Sequence, residues 1–310
     1  MGSLEDIQLK NFNPSKNILV IGGSVDSTLL CSLLRKNKHR IIVVDINPNC
    51  PAKDYCDQFI NISTYDFKGQ IEILKKYKID YCITRCNGIP ARNTFQLNEL
   101  IKNNKNSNLA EDLLNKLNLA EFCQQNMINY PKTIAAGEYV KDLKINFPFI
   151  LKPIYEIEGK KTTFKILDAN KINRRLIESN KNSSLNQSVF QEYLEGEDLS
   201  ILGYVRNNEY FELDILKEEN NFNGDKLQHH GFASVESKYS EQLYKIAKKI
   251  SSKIKIPLTP LNMGFKISKG EIFLLECNLD FGGEKVLENI VSSKKESLLN
   301  DFFVKLGQLK

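Results

Sequence analysis

The chain has 310 residues, 41% of them hydrophobic and 26% charged, with a net charge of +5 at neutral pH. The positive charge is spread as lysines among many asparagines, with no basic block interleaved with aromatic residues, so we expect no nucleic-acid partner. No apolar run reaches the ~18–20 residues that span a bilayer and no signal pattern precedes the first strand, so we expect a cytoplasmic protein without a membrane partner.

The N-terminal third alternates between strand and helix patterns. Strands are predicted over 17–22, 40–46, 58–61 and 80–84, and helices over 25–36, 67–78 and 91–102. Such alternation is typical of a parallel sheet with right-handed crossover helices. We therefore predict an α/β, Rossmann-like lobe over residues 1–105.

A glycine turn, GGSVDS at 22–27, joins the first strand to the first helix. It lacks the GxGxxG pattern of dinucleotide sites and the GxxxxGK[ST] pattern of P-loops. It resembles the SGGxDS loop of the ATP-pyrophosphatase family, but it has one residue too many and Ile21 replaces the leading serine. Free backbone N–H groups at such a turn suit an anion. Gly23 and Ser24 are therefore candidate substrate residues, and a plain β–α turn is the alternative.

Beyond a polar stretch at 102–108, strands come in pairs. Helices are predicted over 109–125, 169–179, 238–253 and 284–307, and strands over 147–152, 161–167, 187–193, 199–206, 209–217, 260–267 and 271–278. The turn-rich joins between paired strands are typical of antiparallel hairpins. We predict a central α+β lobe over 106–193 and a C-terminal one over 194–310.

Four segments of the second half carry polar residues in a characteristic order. Lys116 lies inside the helix predicted over 109–125, and FPFILKP at 147–153 ends in Lys152 and a proline. VFQEYLEGEDLSI begins at residue 189, and GFKISKGEIFLLECN at 264–278 contains Glu276 and Asn278. Their order and spacing resemble the ATP-grasp superfamily, which includes biotin carboxylase and D-alanine–D-alanine ligase. The resemblance covers nearly the whole chain and implies two antiparallel-sheet lobes that clamp a nucleotide, behind an N-terminal α/β lobe.

The resemblance also implies the nucleotide contacts. Lys152 and Lys116 would contact the ATP phosphates and act in catalysis. Lys160, in a lid hairpin over 150–167, would contact phosphate where relatives use glycine N–H groups. The hinge consists of Gln191, Glu192, Tyr193 and Leu194 and would read adenine through its backbone. Asp198 would bind the ribose, with Glu197 as the alternative.

Glu276 and Asn278 are the predicted metal ligands. Two residues apart on a strand, they share one face, and a carboxylate with an amide oxygen suits Mg²⁺. The family pattern is broken nearby, because Gly264 stands where a third ligand is expected and Asp280 where an arginine is common.

Substrate contacts are expected mainly from the N-terminal lobe. Arg85 and Arg92 follow the fourth strand, at the carboxyl edge of the sheet where α/β proteins bind ligands, and arginine suits a substrate carboxylate. His230, in a stretch interpreted as a polar loop, and Asp280 are further candidates.

The sequence thus predicts an ADP-forming, ATP- and Mg²⁺-dependent carboxylate–amine or carboxylate–thiol ligase that acts through an acyl phosphate on small molecules, in a chain that could form a homodimer. Two alternatives stay open at this point. One is an ATP-binding protein of this superfamily without turnover. The other is an ATP-pyrophosphatase-like adenylating enzyme that releases AMP.

Overall fold

The structure is a computed structural model that describes residues 15–104, 108–137, 146–157, 162–283, 286–292 and 295–309. Its N-terminal strands are β1 (Asn17–Ile21), β2 (Arg40–Val44), β3 (Gln58–Ile60) and β4 (Tyr81–Thr84), and its helices are α1 (Val25–Lys36), α2 (Phe67–Tyr77) and α3 (Ile89–Ile101). The strands pair in parallel in the order β3-β2-β1-β4. β1 and β2 are almost wholly buried because apolar clusters cover both faces of the sheet. The predicted α/β lobe is confirmed.

The rest of the described chain builds a nine-stranded antiparallel sheet with the order β13-β12-β9-β10-β11-β7-β6-β8-β5. Its strands are β5 (Thr133–Ala136), β6 (Phe149–Pro153), β7 (Phe164–Ile166), β8 (Ser188–Glu192), β9 (Glu197–Arg206), β10 (Glu209–Asn223), β11 (Lys226–Ser234), β12 (Leu258–Ser268) and β13 (Glu271–Asn278). Its helices are α4 (Leu109–Leu114), α5 (Lys116–Gln125), α6 (Ile172–Lys181), α7 (Ser240–Ser251), α8 (Val286–Ser292) and α9 (Glu296–Gly307). The predicted fold class, an α/β lobe followed by α+β lobes, is confirmed.

A long hairpin joins the two antiparallel halves of this sheet. β10 continues to Asn223 and β11 returns from Lys226, where the sequence analysis expects a polar loop. That expectation is wrong because this hairpin carries mostly polar residues on both faces, and it therefore lacks the apolar alternation that marks a half-buried strand.

The hairpin tip is held against the central lobe by Asp225. Its carboxylate accepts hydrogen bonds from Arg175 Nε at 3.0 Å and Arg175 Nη2 at 2.6 Å. The Lys165 N–H donates to the Asp225 carbonyl at 2.7 Å, and the Leu227 N–H donates to Thr163 at 2.9 Å. We call this group of contacts the clasp.

The helix predicted over 109–125 is broken at Asn115. The Asn115 side chain accepts from the N–H groups of Leu117 and Asn118 and so caps α5. Lys116 is therefore the first residue of a helix and not an interior one. The predicted helix over 284–307 is likewise two helices, α8 and α9.

No helix in the described ranges is both long enough and apolar enough to cross a bilayer. The limits of the three lobes stay a prediction.

Candidate functional site

Two adjoining cavities lie over the inner face of the large sheet. The first, of about 380 Å³, is lined by β6, the 191–196 segment and the start of β9, together with β10, β12 and β13. The second, of about 530 Å³, lies between that sheet and the carboxyl edge of the N-terminal lobe. Both are lined by Glu156, Glu218, Gly264 and Glu276, so a molecule in one can reach a molecule in the other at these residues.

Sheet register explains why polar residues gather at this junction. Gly264 on β12 pairs with Ser200 on β9 and with Glu276 on β13. Moving two residues along β12 towards the first cavity leads to Lys266, which pairs with Asp198, and moving the other way leads to Asn262, which pairs with Asn278. Because side chains two apart share a face, this face presents successive polar layers from one cavity to the other.

The predicted hinge lines the first cavity along its whole length. Gln191 is buried, and its amide nitrogen donates to the Thr133 hydroxyl at 2.9 Å. Tyr193 stacks against the Lys165 ammonium, 3.7 Å from the ring centroid. The apolar part of the wall suits a flat aromatic base and consists of Ile150, Leu194, Leu199, Phe222, Leu227, Phe265 and Leu275.

The structure separates the two candidate ribose acids. Asp198 lines the first cavity, where it forms an ion pair with Lys266 at 2.6 Å and accepts from the Asn220 amide at 3.1 Å. Glu197 does not line either cavity and pairs with the half-exposed Lys217. The sequence analysis missed Lys266, although its place two residues beyond Gly264 on one strand face could have revealed it.

The two predicted phosphate lysines lie on different walls. Lys152 is 7% exposed and lines the first cavity. Lys116, also 7% exposed, lines the second cavity, where it donates to the Ile154 carbonyl at 3.2 Å and pairs with Glu156 at 3.4 Å. Because Glu156 lines both cavities, Lys116 lies beside the junction. Lys160 lies outside the described residues.

Glu276 has the surroundings of a metal ligand. The structure gives its carboxylate no hydrogen-bond donor among the described residues, and its side chain lies over Gly264. A Cβ added to Gly264 would come within 3.0 Å of Glu276 Cγ and 3.3 Å of Oε1. Gly264 therefore supplies space where the resemblance expects a ligand, and Asn278 faces the same side from the second cavity.

These donors fit a hard divalent cation, which takes only a few protein oxygens beside phosphate and water. No group of three or more His, Cys, Asp or Glu residues with metal-binding geometry occurs in the described part of the chain. Glu218, which the sequence analysis missed within its polar loop, also reaches the junction. Its carboxylate accepts from the Ser200 hydroxyl and, at 3.1 Å, from the Asn220 amide.

The described residues give the first cavity a net negative lining. They include two lysines, Lys152 and Lys266, and six acidic residues: Glu156, Glu192, Glu195, Asp198, Glu218 and Glu276. A polyphosphate placed there would be repelled unless cations accompany it. The electrostatics therefore favour a nucleotide bound together with a divalent cation.

Arg85 is the predicted substrate residue that lines the second cavity. It is 4% exposed. Its Nε donates to the Gly282 carbonyl at 2.5 Å and its Nη1 to the Asp26 carbonyl at 3.2 Å, while Nη2 has no partner among the described residues. Burial lowers the pKa of this guanidinium. Nearby, burial raises the pKa of Asp280 to about 6.

The other candidate substrate residues do not reach either cavity. The Gly23 N–H donates to Asp45 at 2.7 Å, so the carboxylate of Asp45 occupies the anion position of the glycine turn. Ser24 is exposed. Arg92 pairs with Glu111 at 3.3 Å, and His230 is exposed on β11. Their roles in substrate binding stay predictions without support from the cavity geometry.

No family model matches the sequence, and no curated protein matches it. Solved structures do. The N5-carboxyaminoimidazole ribonucleotide synthetase of Thermotoga maritima matches with a TM-score of 0.67 and 17% identity, over 95% of this chain and 75% of that one. The L-amino acid ligase of Bacillus licheniformis matches with a TM-score of 0.72 and 15% identity, over 96% of this chain and 78% of that one. The biotin carboxylase of Campylobacter jejuni matches with a TM-score of 0.67 and 11% identity, over 95% of this chain and 70% of that one.

Each of these likenesses extends over 95% or 96% of this chain, so it includes both the N-terminal α/β lobe and the antiparallel sheet. At this level of identity the likeness concerns the fold, and it agrees with the order of motifs in the sequence. The chain therefore has the ATP-grasp fold.

Proposed function

We propose that this protein is an ATP- and Mg²⁺-dependent ligase that activates a small carboxylate as an acyl phosphate, releases ADP and joins the acyl group to an amine. A thiol in place of the amine is the variant of this reaction. The observation that carries the proposal is the contact between the two cavities at Glu276 and Glu218. An acyl phosphate can form only where a nucleotide and a carboxylate meet, and this fold provides one such junction.

The lining residues support the following roles. The hinge backbone at Gln191 and Leu194 holds adenine between apolar side chains, and Asp198 with Lys266 offers an acceptor and a donor to the ribose hydroxyls. Lys152 and Lys116 approach the junction from opposite walls and hold the phosphates in line with the carboxylate.

Glu276 and Asn278 would hold Mg²⁺, which would offset charge on the transferring phosphoryl group. Gly264 supports this because its missing side chain leaves room for the Glu276 carboxylate. Lys160 is proposed to contact phosphate from the lid. A cytoplasmic location and a homodimer remain predictions.

Product analysis tests the proposal. Purified protein is incubated with ATP, Mg²⁺ and pooled small carboxylates and amines, and nucleotides are separated by chromatography. The proposal requires ADP and phosphate, whereas AMP and pyrophosphate would identify an adenylating enzyme.

Lys152→Met tests the nucleotide site directly, because methionine keeps the packed stem and removes the charge. We expect ATP affinity to fall by one to two powers of ten, which is roughly 1.4–2.8 kcal/mol. Ser27→Ala in the glycine turn is the matched control and should bind ATP normally, because its hydroxyl donates to Gly22 within the turn. If calorimetry instead showed ATP binding lost in Ser27→Ala and kept in Lys152→Met, the nucleotide site would lie in the N-terminal lobe.

A second function, ATP binding without turnover, is favoured by two departures. Gly264 removes a metal ligand and Asp280 replaces an arginine. ATP binding at the first cavity without ADP release, for any substrate pool, would establish this alternative.

A further inference from the structure

The second cavity contains a charged corner whose groups are only partly satisfied. Arg85 is only 4% exposed, and its Nη2 has no hydrogen-bond partner in the part of the chain that the structure describes. Asp26, from the first turn of α1, lines the same cavity, and its carboxylate forms no hydrogen bond or ion pair within the described residues. A buried donor without a partner is unfavourable, so each such group in a native protein needs an explanation, and a bound ligand is one.

The two residues belong to one corner of the cavity. Arg85 Nη1 donates to the Asp26 carbonyl at 3.2 Å. Arg85 Nε donates to Gly282, and Asp26 Oδ2 lies 3.9 Å from the position of a Cβ on Gly283. Both residues thus lie beside the loop that follows β13, and they bring a cationic donor and an anionic acceptor to one corner of the cavity.

The remaining charged groups of the second cavity are engaged elsewhere. Lys116 pairs with Glu156, and Glu218 accepts from Ser200 and Asn220. His229 Nδ1 lies 2.9 Å from Asn220 Oδ1. Glu276 is assigned to Mg²⁺ by the proposed function. The Arg85–Asp26 corner is therefore where a ligand can find both a donor and an acceptor.

The charge balance around Arg85 distinguishes between ligand classes. Asp26, Asp280 and Glu288 all act electrostatically on this one guanidinium, and Asp280 and Glu288 each have a buried oxygen without a partner. A simple anion would meet one cation among three carboxylates. A zwitterion brings its own positive charge and suits the corner better.

We infer that the second cavity binds an α-amino acid, or a small molecule with the same adjacent ammonium and carboxylate groups. The Arg85 guanidinium binds the carboxylate, and the Asp26 carboxylate binds the ammonium. This inference rests on the proposed function, because it gives the class of the second substrate of that reaction.

Calorimetry tests it without turnover. Each proteinogenic L-amino acid is titrated into the protein with Mg²⁺ and a non-hydrolysable ATP analogue, and again without the analogue. The tightest ligand is then compared with the analogue of it that lacks the amino group and with the one that lacks the carboxylate. Both losses should weaken binding about tenfold or more, since each removes a charge-assisted contact.

The variants separate the two contacts. Asp26→Asn should weaken the amino acid about tenfold or more and leave the des-amino analogue unchanged, whereas Arg85→Gln should weaken both by that factor. Arg35→Gln, near the other end of α1, is the matched control. It breaks a half-exposed ion pair with Asp57, lines neither cavity and should bind normally. If Arg85→Gln does not fold in a thermal melt, Arg85→Lys replaces it and should also weaken binding, because it loses the planar fork.

The outcomes distinguish this inference from the proposed function. If the ATP analogue binds but no amino acid does, or if Asp26→Asn and Arg85→Gln bind like the wild type, the inference is overturned and the proposed function stands. If the analogue does not bind, the proposed function fails, and the titrations without it decide whether the corner binds amino acids.

Discussion

The clasp between the β10–β11 hairpin and the central lobe gives a prediction with a calculable size. Asp225→Asn keeps the shape of the side chain and one acceptor oxygen, but it removes the charge that receives Arg175. The two side chains are only 8% and 18% exposed, so solvent screens the pair weakly. The pKa of the Asp225 carboxyl is lowered by its hydrogen bonds with Arg175, which shows that the charged form is the one stabilised.

The expected loss follows from the geometry. Removing one of two charge-assisted hydrogen bonds, and weakening the other, costs about 1.5–3 kcal/mol. Opening of the hairpin tip should therefore become about 10- to 150-fold more frequent. Because the hairpin supplies Asn220, Phe222 and Leu227 to the first cavity, we expect bound nucleotide to dissociate faster in the same variant.

Hydrogen exchange gives the direct assay, because the Lys165 and Leu227 amides donate across the clasp. Their exchange should accelerate by the factor above, and stopped-flow release of a fluorescent ADP should accelerate in parallel. Glu241→Gln is the matched control. It breaks the Lys245 pair on α7, whose members are 69% and 78% exposed, and it should change neither rate. Unchanged exchange at both amides in Asp225→Asn would refute the reasoning.

Three shorter predictions follow. In the proposed function the hinge reads adenine through its backbone, so ATP should bind more tightly than GTP and Gln191→Ala should change this preference little. A thermal-shift titration in which GTP binds more tightly would contradict this prediction. Glu276→Ala should abolish Mg²⁺-dependent ATP turnover while the melting temperature stays close to that of the wild type; turnover at the wild-type rate would exclude Glu276 as a ligand. Burial lowers the pKa of His39 from its usual 6.5, so the unfolded chain takes up the proton first and the free energy of unfolding should fall as pH drops below about 6.5; His39→Gln should flatten that slope in denaturant titrations.

The N-terminal lobe could be predicted from sequence because each of its elements has a clear period. β1 and β2 are continuous apolar runs, and the helices between them are amphipathic or apolar. The shared strand and face of Glu276 and Asn278 could also be predicted, since the two residues are two apart in the sequence; their role as metal ligands stays a prediction. In each of these cases the information is local in sequence.

The features that the sequence analysis missed depend on contacts between distant residues. The clasp anchors the tip of the polar strands β10 and β11 to β7 and to Arg175 on α6. No local sequence pattern indicates these contacts. Arg85 and Gly282 are 197 residues apart. The position of Asp225 as a partner of Arg175 likewise depends on the register of the whole sheet.

The departures from the family pattern therefore have spatial explanations. Position 280 carries an aspartate where the resemblance expects an arginine, but the Arg85 guanidinium reaches the adjacent loop from the N-terminal lobe and donates to Gly282. Position 264 carries a glycine, and the Glu276 side chain lies over it, so that an alanine there would crowd Cγ at 3.0 Å. From the sequence alone, the residue at each of these two positions looks like the loss of a functional side chain. On the inner face of the sheet, a positive charge lies near the second cavity and the Glu276 carboxylate faces the junction, so neither departure by itself argues against the proposed ligase.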